Sequence, residues 1–99
     1  MEELIFVYGT LRDPKIQMDI IGRLIEGTPD TLLGYEKSTI KLRNIVYPIL
    51  VPGNNGVIEG EILKVSQEEL NKIDEYETDA YRRVKVKLKS GTDAWVYMK

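Results

Sequence analysis

Leu4-Ile5-Phe6-Val7 is apolar at four successive positions, runs on into Tyr8, and stops at Gly9-Thr10. Consecutive branched and aromatic side chains suit a strand covered on both faces, because a half-exposed strand would alternate. A chain with such a strand must supply apolar layers above and below it. At 99 residues, 42% of them hydrophobic, it has material for one domain, residues 1–99, and no more.

The elements that follow define those layers. Asp13-Pro14 is a helix start, with Asp13 as N-cap and proline at the first helical position. Ile16, Ile20, Arg23 and Leu24 follow at helical spacing, with Ile21 and Ile25 beside them, and Gly27, Pro29 and Asp30 end that helix. Residues 32–42 read as a strand, and 47–51 as a short extended piece. Pro52-Gly-Asn-Asn-Gly56 has the chemistry of a hairpin loop, and residues 57–65 form the returning strand. Gly60 inside that strand implies a bulge or a close backbone approach. Ser66-Gln-Glu-Glu69 is a capping box, opening a helix to about Glu77. Residues 82–88 alternate Val84, Val86 and Leu88 against Arg83, Lys85 and Lys87. After the Ser90-Gly91-Thr92 turn, Ala94, Val96 and Met98 oppose Trp95 and Tyr97 on a last strand. Helices and strands do not alternate strictly, so the class is α+β. About six short strands in so few residues predict a small mixed β-barrel with two flanking helices.

Composition excludes several kinds of chemistry. The chain has no cysteine, which rules out disulfides, thiolate nucleophiles and zinc–thiolate sites. It has no histidine, which removes the commonest general base and the usual serine triad. Proton transfer would fall to Asp, Glu, Lys or Tyr. With 14 basic and 16 acidic side chains, the net charge of −2 gives no footprint for nucleic acid. The row Lys85, Lys87, Lys89 reads as a solvated strand face that discourages edge pairing. No stretch nears the ~20 apolar residues of a membrane span, and the N-terminal apolar run is too short for a signal peptide. A cytoplasmic protein, monomer or homodimer, is expected. The last strand runs to Lys99, so no C-terminal segment is expected over a site.

Two local features carry chemistry. On the second helix, Leu70 and Ile73 mark the core face, and the next position in that stripe is Glu77; Asp74 lies near it. A carboxylate in a buried stripe is disfavoured unless it is paired or protonated, and its pKa tends to rise, which suits a general base near neutral pH. The plainer alternative is a helix end that splays Glu77 into water or pairs it with Arg82 or Arg83. The second feature is the stop at Gly9. A glycine after a buried strand, closely followed by a helix start, exposes backbone N–H groups that can hold a small anion such as a carboxylate. No phosphate-loop or dinucleotide fingerprint is present. An ordinary strand-to-loop turn fits the same residues.

Taken in order, Phe6-Val-Tyr-Gly-Thr-Leu-Arg12, Tyr47-Pro48, Gly60-Glu61, Ile73-Asp-Glu-Tyr-Glu77 and Tyr81-Arg-Arg83 resemble the landmarks of the gamma-glutamylcyclotransferase-like, or AIG2-like, family. The resemblance spans nearly the whole chain. It implies the small mixed β-barrel. It also implies a reaction in which the α-amine of a γ-glutamyl compound attacks its own γ-carbonyl, giving 5-oxoproline and a free amine without metal or cofactor. It assigns Glu77 as general acid/base and the Tyr8, Gly9, Thr10, Leu11 loop as the holder of the substrate carboxylate. Tyr81 and Tyr97 would line the pocket, and Asp74 and Arg83 would support it. The partner implied is a small γ-glutamyl molecule. Two other functions compete. One is a binding module that captures a small carboxylate or amino-acid-like metabolite in the same pocket without turnover. The other is an interaction protein using its lysine-lined strand or a dimer face.

Overall fold

The computed structural model describes residues 2–77 and 81–98; Lys99 lies outside them. The elements are β1 (Glu2–Val7), a 3-10 turn (Thr10–Arg12), α1 (Pro14–Ile20), β2 (Thr28–Leu42), β3 (Ile45–Ser66), α2 (Gln67–Glu77), β4 (Arg82–Lys87) and β5 (Asp93–Met98). They build one mixed sheet in the order β2-β3-β1-β5-β4. β1 runs antiparallel to β3 and parallel to β5.

β1 is central and covered on both faces, as its sequence demands. Ile5 and Val7 pack with Leu11, Ile21, Leu70 and Ile73 beneath the helices. Phe6 points the other way, into a second cluster with Leu32, Leu50, Ile58, Leu88 and Val96. Each such side chain, fully buried, contributes about 1.5–3 kcal/mol. The second cluster fills the hollow of a curled sheet. The two edges of that curl approach at one seam, where Lys89 N–H donates to the Thr31 carbonyl at 2.8 Å and the Ser90 hydroxyl to Asp30 at 2.5 Å. The sheet is not closed, so the expected barrel is an open, curled sheet. β4 is an edge strand, which fits the lysine row along it.

The hairpin reading of Pro52–Gly56 is wrong. Those residues lie within β3, and the pairing register with β2 jumps from Leu33↔Val57 to Tyr35↔Pro52. Gly34, at φ +87°, faces four residues, 53–56, so the segment is an oversized bulge that bends the ribbon. Its two arms correspond to two of the expected six short strands, and among the described residues the continuous strands number five. The real reversal is at Arg43-Asn44, both left-handed at φ 51° and 65°, the signature of a type I′ turn. Gly and Asn ease a bulge as readily as a turn, so local chemistry could not separate the two.

α1 is also shorter than its periodicity implies. Asp13 caps it by accepting from Lys15 N–H at 2.9 Å, with Pro14 first in the helix, as expected. It ends at Ile20 because Gly22, at φ +90°, turns its N–H back to the Met18 carbonyl at 3.1 Å. The capping box of α2 forms as expected. Ser66 Oγ accepts from Glu69 N–H at 3.1 Å, and Glu69 Oε1 from Ser66 N–H at 2.8 Å. Gly60 marks a close approach and not a bulge, since a Cβ there would sit 2.4 Å from the Val7 carbonyl oxygen. Among the described residues, no helix is long and apolar enough to cross a membrane.

Candidate active site

The stop at the end of β1 and the odd carboxylate of α2 meet in one place. A cavity of about 80 Å³ is lined by Phe6, Val7, Tyr8, Gly9, Thr10 and Leu11 on one side. Pro48 of β3, Glu77 at the end of α2, Tyr81, and Tyr97 of β5 complete it. Its floor is apolar, because Phe6, Val7, Leu11 and Tyr97 are all buried. Gly9, Thr10 and Pro48 are exposed and lie at the mouth.

Glu77 is held there by helix geometry. Leu70 and Ile73 are fully buried and fix the face of α2 that meets β1. Four residues on from Ile73, Glu77 must point the same way, and it is partly buried. Burial raises its carboxyl from the ordinary 4.5 to about 7. Near neutral pH it therefore populates both the acid and the base form. The splayed-out alternative does not hold, and Arg83 pairs with Asp74 instead of Glu77.

The turn after β1 is held from three directions. Arg12 N–H donates to the Gly9 carbonyl at 3.0 Å, closing the 3-10 turn. A 3-10 turn bonds N–H groups only from its third residue onward, so those of Thr10 and Leu11 at its start are not consumed by it. The Thr10 hydroxyl lies 2.9 Å from the Tyr76 hydroxyl, tying the turn to α2. Gln17 of α1, buried at 4% exposure, donates to the Leu11 carbonyl at 2.8 Å and accepts from Ile25 N–H at 3.0 Å.

The tyrosines form a linked set. Tyr8 donates its hydroxyl to the Tyr97 carbonyl at 2.7 Å, Tyr97 donates to Asp74 Oδ1 at 2.5 Å, and Tyr81 donates to the Pro48 carbonyl at 2.6 Å. Arg83 braces Asp74, with a hydrogen bond from Nη2 to Oδ2 at 3.1 Å and an ion contact from Nε to Oδ1 at 3.1 Å. Burial, the neighbouring Tyr81 and the Glu77 charge push the Tyr8 phenol well above its ordinary range. Burial and then the Asp74 hydrogen bond do the same at Tyr97. Both phenols stay protonated and keep donating.

All of Tyr8, Gly9, Thr10, Leu11, Tyr81, Tyr97 and Glu77 therefore line one cavity, with Asp74 and Arg83 behind Tyr97. Sequence reasoning missed Phe6, Val7 and Pro48 as lining, and Gln17 and Tyr76 as anchors. Gln17 had a legible signal. It sits three and four residues before Ile20 and Ile21, a polar group in an apolar stripe, as Glu77 is. Among the described residues, no cluster of three acidic, His or Cys side chains could hold a metal ion.

Comparison with known proteins puts this geometry in context. A family sequence profile described as "Gamma-glutamyl cyclotransferase, AIG2-like" matches residues 5–99. Protein AIG2 C of Arabidopsis thaliana is 33% identical over 102 residues, covering 93% of this chain and 61% of that protein. AIG2-like protein A of the same plant is 36% identical, covering 83% of this chain and 49% of its own. The chain thus spans about half to three-fifths of the length of these relatives. A solution structure of an Arabidopsis thaliana protein superposes with a TM-score of 0.80 at 29% identity, covering 99% of this chain and 62% of that one. A structure titled "Gamma-glutamyl cyclotransferase" superposes at 0.82 with 14% identity, covering 99% and 66%, and shares the fold.

Proposed function

The chain belongs to the gamma-glutamyl cyclotransferase, AIG2-like family, and from that premise we propose that it cyclises a γ-glutamyl amine or γ-glutamyl amino acid to 5-oxoproline and the free amine. The observation that carries the proposal is Glu77, a partly buried carboxyl raised to about 7, facing the Tyr8–Leu11 turn across one small cavity.

The chemistry follows from that pairing. The α-amine of the substrate arrives as an ammonium and cannot attack until it loses a proton. Glu77 in its base form accepts that proton. The freed amine attacks the γ-carbonyl carbon, closing a five-membered ring. The carbon–nitrogen bond to the leaving group then breaks as the Glu77 acid gives its proton to the departing nitrogen, and Glu77 passes the second proton of the ring nitrogen to the freed amine, which leaves as an ammonium. The start and end states of Glu77 are identical, so one carboxyl suffices. Because nucleophile and electrophile belong to one molecule, the protein's main task is to hold them in line. The N–H groups of Thr10 and Leu11 would receive the substrate carboxylate. The apolar floor keeps competing water away from the Glu77 proton.

The test is release of 5-oxoproline from γ-glutamyl dipeptides, γ-glutamyl alkylamines and γ-glutamyl-ε-lysine by the wild type and Glu77→Gln. Turnover by the wild type and its loss in a folded mutant is the expected result, with a rate that rises with pH through about 7. Saturable binding with no product from any of these compounds would replace the enzyme by a binding module.

A further inference from the structure

β4 ends the sheet, and one hydrogen bond fixes which way its backbone groups point. Leu88 N–H donates to the Thr92 carbonyl at 2.8 Å, so these two residues form a bonded pair across β4 and β5. Bonded and non-bonded pairs alternate in an antiparallel ladder. In the register Val86↔Ala94 and Val84↔Val96, the valines therefore turn their N–H and C=O groups toward β5. Arg83, Lys85 and Lys87 turn theirs outward. Lys89 shares their parity, and the Thr31 carbonyl of β2 takes its N–H at 2.8 Å. One rung of an outer ladder thus exists. The groups of Arg83, Lys85 and Lys87 continue it with no backbone partner among the described residues.

The side chains of β4 add a pattern to that edge. Val84 and Val86 are half-buried on the hollow side of the sheet, against the cluster of Phe6 and Val96. Lys85 and Lys87 are exposed on the outer face. Arg83 and Lys85 stand over the Trp95 ring, 4.4 and 4.5 Å from its centre, which holds both cations close to the sheet. Residues 82–89 carry five basic side chains, and from Arg82 onward no acidic residue occurs before Asp93, in a chain of net charge −2. Lys87 lies 3.7 Å from Asp93, but both side chains are largely exposed and the pair neutralises little.

From this geometry we infer that the outer edge of β4 is a docking site for an extended peptide in which acidic and apolar residues alternate, added to the sheet as a further strand. The open N–H and C=O groups supply the backbone bonds, and the two faces of β4 supply the selection. Acidic side chains lie across from Lys85 and Lys87, and apolar ones beside Val84 and Val86. The same lysines exclude a second copy of this edge. Antiparallel self-pairing centred on Lys85 would set lysine against lysine, which is the usual protection of an edge strand. That protection does not act against an acidic strand, for which the row is an attraction. Val84, Lys85, Val86 and Lys87 do not line the cavity. The inference therefore stands apart from the cyclotransferase reading and adds a partner to it.

The probe is a short blocked peptide that alternates glutamate and valine, titrated into the full chain and followed by NMR. The expected result is saturable binding with shifts centred on residues 82–89, and slower exchange of the Arg83, Lys85 and Lys87 amides in the complex. Lys85→Glu combined with Lys87→Glu should weaken binding by roughly tenfold or more. The milder pair Lys85→Gln and Lys87→Gln should weaken it by a smaller factor in the same direction. Two further peptides separate strand addition from plain charge attraction. One carries N-methyl groups on its glutamates, the other on its valines. In an added strand every second N–H faces β4, so one of the two should lose binding and the other keep it. No saturable binding at millimolar peptide would overturn the inference. So would equal binding of both methylated forms and of an isomer with its glutamates clustered, or equally tight binding of a short oligouridylate, since each would reduce the edge to a surface for any polyanion.

Discussion

Replacing Glu77 by glutamine should stabilise the fold, and the gain should depend on pH in a way set by one carboxyl. In the unfolded chain this glutamate ionises near its ordinary value of 4.5; in the fold, burial raises that to about 7. The raised value means that the neutral form is preferred by the folded state. The stability associated with that neutral form is fully present below pH 4.5 and is lost as pH rises through 7. The gap corresponds to about 3 kcal/mol at full effect. Glu77 is only partly buried, and solvent screening brings the expected value to about 1–2 kcal/mol. Glutamine has nearly the shape of the protonated acid and does not titrate. The difference between Glu77→Gln and wild type should therefore be near zero at pH 4.5, grow between pH 4.5 and 7, and level off above. Urea unfolding of both proteins across that range measures it, because all other titrating groups cancel in the difference. A flat difference, or one that favours the wild type as pH rises, would refute the claim that desolvation governs Glu77. It would also remove the physical basis for its role as a base at neutral pH.

Other perturbations test the frame around the site. Gly60→Ala would place a Cβ 2.4 Å from the Val7 carbonyl oxygen and 2.6 Å from the Phe6 ring. It should cost about 1–3 kcal/mol in a denaturant titration, and unchanged stability would mean the strands separate freely there. Gln17→Leu strands the Leu11 carbonyl and Ile25 N–H. It should cost about 2–4 kcal/mol and quicken amide exchange in the 3-10 turn; unaltered exchange at Arg12 would show that Gln17 does not hold the turn. Arg23 hydrogen-bonds Glu69, which lowers that carboxyl to about 2. A depressed value gives stability that is present above the unfolded 4.5 and lost as pH falls toward 2. Arg23→Met should thus be less stable than wild type at pH 6, with the gap closing toward pH 2. A gap that persists at pH 2 would assign it to lost packing by the arginine stem.

The parts of this fold legible in the sequence are those fixed by neighbours along the chain. The two-faced burial of β1, the Asp13-Pro14 start, the Ser66–Glu69 box and the alternation of β4 all depend on residues within a few positions of one another. What failed was a choice between two long-range solutions with the same local chemistry. Pro52-Gly-Asn-Asn-Gly56 satisfies a bulge as well as a hairpin. Arg43-Asn44 carries a tight turn that only its cross-strand partners, Leu42↔Ile45 and Lys41↔Val46, impose. Barrel closure failed for a similar reason. It depends on whether the two edges meet, and here Lys89 and Ser90 reach Thr31 and Asp30 at a seam without the ladder that would close the sheet.

The site follows the same division. Each half announces itself locally, Gly9 as a break in a buried strand and Glu77 as a charge in a buried stripe. Neither half reveals that it faces the other, because 68 positions separate them and only the docking of α2 against β1 brings them together. That docking is driven by Leu70 and Ile73, which are fully buried against Ile5 and Val7. The same apolar contact that stabilises the domain thus drags Glu77 out of water beside the turn. Stability and chemistry are coupled through one helix face: the burial that raises Glu77 is a by-product of the burial that holds α2 in place. A helix loosened at Ile73 should therefore lose the raised carboxyl before it loses its secondary structure, since Glu77 lies at the open end of α2 and the capping box holds the other.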